Sequence, residues 1–535
     1  MERWLLCMLA GCVARAPAEA PTPRIADDRP NLLLIVADDL GYADLGSFGS
    51  DIATPHLDTL AERGVRATRF HTAPMCAPTR SMLLTGNNNH VAGMGFQTPS
   101  PFQQRHLRGY EGHLPDRVAP LPRLLRDAGY RTYMVGKWHL GVEAEHSPRS
   151  AGFERSFGLV HGAASHYDAT GFFEGGSVYR EDGERVGWPD GAYATELYTD
   201  RLIAYLDEPD DGRPFFAFAA YTAPHWPLQV PGGERDRYAG AYDDGYDVLR
   251  ERNFAALQDA GIVAADRGLP PRNPDVPQWT SLSPAERRVE AREMELYAAM
   301  VSNLDHHVGR LVAHLEAKGI LDRTLIVFLS DNGAAGEDFY VQPPFRDYVQ
   351  AHYDNALASM GSAASWVSYG RAWAEAGSAP FRGIKASARQ GGIVAPMITA
   401  GPGVARRGAI DGQYLTVMDI APTLLEVAGV PYPEGFAPMR GESLVPALAG
   451  DTPVHTGEYV TTLFHRGHGF VRQGPYKLVD EGPDFAEAEM ELFDVVADPG
   501  ETYDLSDTEP ALRDRLLQLW RTERRELGIV LPRDL

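Results

Sequence analysis

The sequence predicts an α/β fold: a large, mostly parallel sheet sandwiched by helices, followed by a small C-terminal α+β subdomain with an antiparallel sheet. Continuous apolar runs that stop at polar turns are typical of strands buried on both faces. Segments with helical spacing alternate with these runs along the chain. From about residue 455 the pattern changes to short strands joined by turns, which indicates the second sheet.

The elements follow in order along the chain. Apolar runs predict buried strands at 31–37, 131–136, 213–221 and 325–329. Capping residues and amphipathic spacing predict helices at 54–64, 121–129 and 293–319. The C-terminal region is predicted to hold strands at 458–464, 469–472, 476–480 and 490–495 and a helix at 510–527. Residues 335–380 show no clear period and are predicted to form a long loop near the site.

These patterns divide the chain into parts, as a length of 535 residues leads us to expect. Residues 1–29 are predicted to be a signal and linker, residues 30–454 the main domain, and residues 455–535 the antiparallel-sheet subdomain. Within the main domain, the polar and helix-leaning stretch 231–292 is predicted to be an insertion.

The composition restricts the partners. The chain carries 73 acidic against 50 basic residues, a net charge of −23. This balance argues against nucleic acid or an anionic membrane surface as the main partner. If the substrate is an anion, cations within the site must offset its charge, because the overall field repels it.

The N-terminus predicts export. A short apolar run at 4–11 precedes an Ala- and Pro-rich stretch, as in a cleaved signal, and LAGC at 9–12 resembles a bacterial lipobox. In such a motif the cysteine becomes the lipidated first residue. The alternative is a plain signal cut near Ala18 or Ala20. We expect an exported protein, either periplasmic or a membrane-anchored lipoprotein with its lipid on Cys12.

The stretch PMCAPTRSMLLTG, residues 74–86, holds the one cysteine outside the first twelve residues, Cys76. Pro78 suits a first helical turn and Gly86 a helix end, so Cys76 is predicted to lie just before a helix N-terminus. The helix dipole favours negative charge there, and Arg80 lies about one turn further on. Cys76 is therefore a candidate nucleophile, with a buried structural cysteine as the alternative. Because no thiol partner remains after export, a disulfide is excluded.

Acidic pairs follow two predicted strands. Asp38 and Asp39 end one strand, and Asp331 and Asn332 end another. Open α/β sheets bind their ligands at the carboxyl ends of strands. Three carboxylates and an amide oxygen make a hard oxygen cage, which suits Ca²⁺ or Mg²⁺ better than zinc. Taken singly, each pair is also typical of a turn that caps a strand.

One lysine and several histidines are further candidates. Lys137 and His139 follow a predicted strand two residues apart, a spacing at which extended residues point the same way. His225 lies between two prolines, which hold its backbone stiffly. Taken alone, Lys137 is more typical of a surface lysine, and His139 and His225 are more typical of structural histidines. Four other histidines are predicted to be structural or to lie at the rim: His90, His113, His161 and His166.

The motifs resemble the sulfatase family, and especially bacterial aryl/alkylsulfatases. CAPTR at 76–80, continuing to LTG, matches the sulfatase signature. Further matching segments are GYEGHL (109–114), GKWHLG (136–141), GFERSFG (152–158) and TAPHWPLQ (222–229). The resemblance runs from about residue 30 to the C-terminal subdomain. It implies an alkaline-phosphatase-like fold and hydrolysis of a small-molecule sulfate ester, an aryl or alkyl sulfate.

The resemblance implies one modified residue and one bound metal ion. A formylglycine-generating enzyme would convert Cys76 to formylglycine (3-oxoalanine). A metal, usually calcium in this family with magnesium as the alternative, would be held by Asp38, Asp39, Asp331, Asn332 and position 76. Lys385 stands six residues before Gly391, the spacing at which the family places a substrate-binding lysine. Gln390 stands where the family commonly has Glu.

The resemblance also implies a role for each residue. The hydrated formylglycine carries two hydroxyls on one carbon: one attacks sulfur, and the second allows release of sulfate and return of the aldehyde. Arg80 stabilises the attacking alkoxide, and Lys137 and Lys385 offset the sulfate charge together with the metal. His225 or Lys385 protonates the departing alcohol or phenol. His139 assists removal of the second hydroxyl proton.

Two other functions stay open at this point. One is hydrolysis of phosphonate monoesters or phosphodiesters, which related formylglycine enzymes perform. The other is a non-catalytic lipoprotein that binds sulfated glycans, although no expected catalytic residue is missing. Aromatic residues near 167–173, 226 and 339–353 either line a hydrophobic pocket or pack loops. The similarity favours a simple aryl or alkyl sulfate over a glycosaminoglycan.

Overall fold

A computed structural model of the protein describes residues 28–97, 101–209, 211–336, 341–343, 345–450, 452–482, 484–531 and 534. The predicted export signal, with Cys12, lies outside these residues. No helix within the described ranges combines the length and the apolar character that a membrane span requires.

The apolar runs form strands of one large sheet, which has eleven strands within the described residues. The strands are β1 (Asn31–Ala37), β2 (Gly64–His71), β3 (Arg131–Lys137), β4 (Arg155–Leu159), β5 (Tyr179–Glu181), β6 (Glu184–Val186), β7 (Phe215–Ala220), β8 (Thr324–Ser330), β9 (Val394–Ala400), β10 (Ala409–Asp411) and β11 (Leu415–Thr416). Their order is β10-β2-β9-β8-β1-β7-β3-β4-β5-β6, and β11 also pairs with β2. The block β8-β1-β7-β3-β4 is parallel, whereas β9 runs antiparallel to both of its neighbours. The predicted fold class is confirmed.

The middle of the sheet positions the candidate site. All residues of β1 are buried, and β1 pairs with β7 on one side and β8 on the other. Ala37 of β1 is in register with Ser330 of β8. The acidic pairs that follow these two residues therefore emerge side by side at the carboxyl edge of the sheet.

Helices cover the sheet. They are α1 (Pro55–Arg63), α2 (Cys76–Thr85), α3 (Leu121–Asp127), α4 (Pro148–Ala151), α5 (Ala194–Leu206), α6 (Tyr246–Asp259), α7 (Pro284–Ala317), α8 (Phe345–His352), α9 (Gly370–Gly377), α10 (Gln390–Ile393), α11 (Ile420–Val427), α12 (Val445–Ala449) and α13 (Pro510–Leu527). Of these, α6 lies within the polar stretch 231–292.

Helix α7 begins at Pro284, not at residue 293 as the apolar spacing predicted. Its first turns are mostly exposed, so they carry no apolar period. Ser283 and Glu286 form a capping box, in which each side chain bonds the other's backbone N–H. That S-x-x-E signal was present in the sequence and identifies the true start.

The prediction of a long loop over 335–380 was wrong where α8 and α9 form. Helix α8 does show helical spacing in the sequence, with Phe345, Tyr348 and Val349 on one face, but only Val349 is buried. Helix α9 starts at a glycine and buries Trp373, Ala376 and Gly377 at the same spacing. Each helix has eight residues, so its apolar pattern is short, and a helix of this length is marginal without its tertiary contacts.

The C-terminal region forms a second sheet of antiparallel strands, as predicted. Its strands, in spatial order, are β12 (Val460–His465), β13 (His468–Gln473), β14 (Tyr476–Asp480) and β15 (Glu491–Asp494). Helix α13 packs on this sheet, with the Trp520 ring 6.3 Å from the Phe464 ring of β12. The apolar residues between them form a cluster of their own. The domain boundaries proposed from the sequence stay predictions.

Candidate active site

The two acidic pairs meet at the carboxyl edge of the sheet. Asp38, Asp39, Asp331 and Asn332 are all buried. The Asn332 amide donates to Asp39 Oδ1 at 2.7 Å. The backbone N–H of Asp39 donates to Asp331 Oδ1 at 3.3 Å. Asp39 has a φ of 69°, a left-handed conformation that aspartate adopts more readily than most residues. The structure thus brings together the two acidic pairs that the sequence placed at strand ends.

Cys76 is the first residue of α2, one position inside the predicted boundary. The Thr79 hydroxyl accepts a hydrogen bond from the backbone N–H of Ala73 at 2.9 Å and so fixes the entry to the helix. The Cys76 sulfur lies within 4.8 Å of carboxylate oxygens of Asp38 and Asp331. Burial raises the pKa of the Cys76 thiol, and nearby lysines do not fully offset this effect.

Arg80 lies one turn along α2 and is completely buried. Its Nη2 and Nε donate to Asp331 Oδ2 at 2.7 and 3.0 Å, and its Nη1 donates to the Lys137 carbonyl at 2.6 Å. Burial favours the neutral guanidine, but Asp331 and Asp38 outweigh that effect and raise the pKa of Arg80. The guanidinium therefore joins α2 to the ends of β8 and β3.

Each carboxylate has its own cation. Lys137 Nζ donates to Asp38 Oδ2 at 2.6 Å, and Lys385 Nζ donates to Asp39 Oδ2 at 2.7 Å. Arg80 is the cation that pairs with the third carboxylate, Asp331. Burial opposes the charge on Lys385, but Asp39 outweighs it and raises the pKa of that ammonium. The three cations therefore neutralise the three carboxylates, so the buried cluster carries no net negative charge against an anionic substrate.

The two predicted histidines lie in the same place. His225 Nε2 is 3.3 Å from Asp39 Oδ2, and His225 Nδ1 is 2.6 Å from the Trp226 carbonyl oxygen. Because a carbonyl only accepts, Nδ1 carries the proton. Burial, with Lys385 next in importance, lowers the pKa of His225 well below its usual value. Burial and Lys137 do the same for His139.

The residues fit a hard divalent cation. Asp38 Oδ1 and Asn332 Oδ1 are buried, and neither accepts a hydrogen bond from the described residues. Buried polar atoms are normally satisfied, so these two oxygens are available as metal ligands. Carboxylate and amide oxygens are the donors that calcium and magnesium prefer. Adding such a cation to three balanced ion pairs would leave the site with a net positive charge.

A cavity of about 350 Å³ opens on this cluster. Cys76, His139, His225 and Lys385 line it. Another part of its lining is aromatic, and we call these four residues the aromatic wall: Phe172, Phe173, Trp226 and Phe345. Arg80 and Lys137 are not among the lining residues; they contact the carboxylates instead.

Phe172 lies at the centre of the aromatic wall. Its ring is 5.3 Å from Trp226, 5.0 Å from Phe345 and 5.2 Å from Phe173, each in an edge-to-face arrangement. The fully buried Trp366 packs behind it, with ring centroids 5.8 Å apart. The sequence left open whether these aromatic residues line a pocket or pack loops; they do both.

Several lining residues were missed by the sequence reasoning. Gln97 Nε2 is 4.0 Å from the Cys76 sulfur. His161, expected to be structural or at the rim, lines the cavity, and its Nδ1 accepts from the Val178 N–H at 3.0 Å. Met75, Phe96, Gly162 and Ala163 also line the cavity. Met75 adjoins Cys76, but the others lie outside the motifs that the sequence singled out, so no spacing could have identified them.

The other three histidines lie outside the cavity lining. His166 Nε2 is 3.0 Å from the His225 carbonyl oxygen and so supports the segment that carries His225. His90 Nε2 is 3.2 Å from the Tyr110 hydroxyl. His113 stacks on His146 with ring centroids 3.7 Å apart. These contacts agree with the structural roles expected for them.

Known proteins resemble this chain over most of its length. The family model for sulfatase matches residues 30–430, and the model for the C-terminal part of N-sulphoglucosamine sulphohydrolase matches residues 388–522. An arylsulfatase of Klebsiella aerogenes is 39% identical over 430 residues, 78% of this chain and 91% of the relative. An uncharacterized sulfatase of Schizosaccharomyces pombe is 37% identical over 527 residues, 95% of each chain. A sulfatase from Pseudoalteromonas sp. has the same fold, with a TM-score of 0.62 at 19% identity over 94% of this chain and 91% of that one.

Proposed function

The chain belongs to the sulfatase family, whose members are sulfuric ester hydrolases, and we propose that its substrates are aryl or alkyl sulfates, cleaved to a phenol or alcohol and inorganic sulfate. The observation that carries the proposal is the cavity in which Cys76, His139, His225 and Lys385 meet the aromatic wall. A sulfate group suits the charged lining, and an apolar organic half suits the aromatic lining. The name of the Klebsiella relative agrees with this assignment.

We place the nucleophile at position 76. Oxidised to formylglycine by a formylglycine-generating enzyme and then hydrated, this residue would supply two hydroxyls on one carbon, one to attack sulfur and one to allow release of sulfate. A thiol or a single hydroxyl could attack but could not be released in this way. The place of residue 76, at a helix N-terminus beside Arg80, supports an anionic nucleophile there.

The acidic cluster would hold a divalent cation. Asp38, Asp39, Asp331 and Asn332 supply the oxygens, and residue 76 lies close enough to add one more. We propose calcium, following the usage of the family, with magnesium as the alternative. When bound, the cation would supply positive charge to the sulfate oxygens.

The remaining residues divide into two groups. Lys385, His139 and His225 line the cavity, so we assign them to the substrate: Lys385 to the sulfate charge, and either Lys385 or His225, which would need a second proton on Nε2 to act as an acid, to the leaving oxygen. His139 would assist removal of the second hydroxyl proton. Arg80 and Lys137 bond to carboxylates and do not line the cavity. We propose that they hold the metal ligands in place and contribute positive charge without contacting the substrate.

The test compares two substrates and one variant. We expect kcat/KM to be higher for 4-nitrophenyl sulfate than for the matching aryl phosphonate monoester, and Cys76→Ala to abolish turnover without unfolding the protein. A preference for the phosphonate would make the chain a phosphonate hydrolase. Normal sulfate turnover by folded Cys76→Ala would overturn the mechanism. Binding of sulfated glycans with no turnover would favour the non-catalytic alternative.

We also propose that the protein is exported and carries a lipid on Cys12, as the LAGC motif indicates. The test is fractionation of cells that express the full chain. The wild type is expected in the membrane fraction, and Cys12→Ser is expected to lose its lipid label. A wild-type protein that is soluble and cleaved near Ala18 or Ala20 would show a plain signal instead.

A further inference from the structure

We propose that the buried ion pair between Lys477 and Glu501, in the C-terminal region, positions the loop that carries Lys385. We call residues 382–391 the Lys385 loop. The proposal rests on the function proposed above only in that Lys385 contacts the substrate. If the proposal is correct, full activity requires a pair of residues that does not line the cavity.

Both members of the pair bond directly to the loop. Glu501 accepts from the backbone N–H of Gln390 at 2.7 Å through Oε2 and from Lys477 Nζ at 2.8 Å through Oε1. Lys477 Nζ also donates to the Ala388 carbonyl at 2.6 Å. The backbone carbonyl of Glu501 accepts from Arg382 Nη1 at 2.7 Å. The pair and its backbone therefore contact both ends of the loop.

The opposite side of the loop is attached to the site. The backbone N–H of Lys385 donates to the Ala334 carbonyl at 2.9 Å, and that of Ala386 donates to the Pro74 carbonyl at 2.8 Å. Ala386 has a φ of 74°, a left-handed conformation that a residue other than glycine adopts only when its surroundings impose it. The loop thus contacts the catalytic cluster at its middle, where Lys385 lies, and contacts the Lys477–Glu501 pair at both ends.

The burial of the pair is by itself weak evidence that the pair stabilises the fold. Lys477 and Glu501 are both completely buried. Removing two charges from water is costly, and a well-packed apolar pair of similar size is often as stable. What an apolar pair lacks is a set of hydrogen bonds to the backbone of a neighbouring segment. Here those bonds fix Ala388 and Gln390, three and five residues beyond Lys385.

The first experiment is a double-mutant cycle on kcat/KM for 4-nitrophenyl sulfate. Glu501→Gln keeps the shape of residue 501 but removes its charge, and we expect kcat/KM to fall by roughly tenfold to 100-fold because the Lys385 ammonium is misplaced. In the Lys385→Met background, the same substitution should change kcat/KM by less than about twofold. A merely structural role would reduce activity equally in both backgrounds.

The matched control is Glu523→Gln. Glu523 is also a buried carboxylate of the C-terminal region, but it pairs with Arg440 and, among the described residues, makes no hydrogen bond or ion pair with the Lys385 loop. We expect it to lower thermal stability while leaving kcat/KM within about twofold of the wild type. Equal losses of kcat/KM for Glu501→Gln and Glu523→Gln would overturn the proposal, because any buried charge would then have the same effect.

A second measurement does not depend on turnover. Amide hydrogen exchange followed by mass spectrometry should show faster exchange at residues 386–391 in Glu501→Gln, with exchange in β1 and β8 unchanged. If Glu501→Gln does not fold, the apolar pair Lys477→Met/Glu501→Leu takes its place in both measurements. Unchanged exchange in the loop of a folded variant would overturn the proposal. A wild type without sulfatase turnover would instead count against the proposed function, and the exchange result would still decide this one.

Discussion

At the scale of single residues, Arg80 makes the most specific set of contacts in the site. Its guanidinium bonds Asp331 through two nitrogens and the Lys137 carbonyl through the third. Lysine carries a point charge and cannot reproduce this planar fork. Arg80→Lys should therefore lower kcat/KM by about 100-fold or more, while Arg440→Lys, in a partly exposed pair with Glu523, should change it little. Steady-state kinetics on the two variants would refute this view if both lost the same activity.

Phe172 gives a second prediction at the same scale. Its ring touches the other three members of the aromatic wall, so its loss should open the apolar lining. We expect Phe172→Ala to raise KM for 2-naphthyl sulfate about tenfold, a loss of about 1.4 kcal/mol, and to raise KM for methyl sulfate much less. Tyr503→Ala removes an aromatic ring that is 72% exposed and serves as the control. Equal effects on both substrates would show that the wall does not contact the organic half.

The site residues differ in how far the sequence could predict them. Asp38 and Asp331 could be placed together because each follows a buried apolar run, and parallel strands end at one edge. Cys76 and Arg80 belong to the CAPTR motif at 76–80, in which the matching residues are adjacent in the sequence. Gln97, His161 and Phe172 belong to no pattern, and their place near residue 76 depends on how long loops fold over the sheet edge. Such contacts come from tertiary structure alone.

At the scale of elements, the end of β3 depends on a glycine. Gly136 has a φ of 97°, and a Cβ there would lie 1.8 Å from the Ala220 carbonyl oxygen of β7. Gly136→Ala should destabilise the protein by roughly 2–4 kcal/mol and displace Lys137, the next residue, with loss of activity. Gly158→Ala in β4 meets only ordinary contacts at 3.4 Å and should cost less than about 1 kcal/mol. Urea unfolding of the two variants checks the difference; similar midpoints would contradict it.

Helices and strands were predicted accurately where the sequence pattern was long and uninterrupted. The predicted bounds of β1 and α13 agree with the structure because uninterrupted apolar or amphipathic runs define them. The start of α7 was missed because its exposed first turns carry no apolar period, and α8 was missed because eight residues give only a short apolar pattern. The order of strands in the large sheet was not predictable at all, since β9 inserts between β2 and β8 by pairing over long sequence distances.

At the scale of the whole molecule, metal binding should contribute to stability. A cation that binds only the folded state stabilises it by mass action, by about 2.7 kcal/mol when its concentration is 100 times Kd. Chelation should therefore lower both Tm and turnover, and added calcium should restore both. Asp38→Asn removes a ligand charge, so its Tm should respond less to chelator. Full turnover of the wild type after exhaustive chelation would exclude the metal.

Position 76 carries the central claim, and one mass measurement tests it most directly. Trypsin should release residues 70–80 as one peptide from purified, active protein. Conversion of Cys76 to formylglycine replaces one sulfur and two hydrogens by one oxygen, and we expect the peptide at that lower mass in proportion to the specific activity of the preparation. A fully active preparation whose peptide keeps an intact thiol would contradict the account.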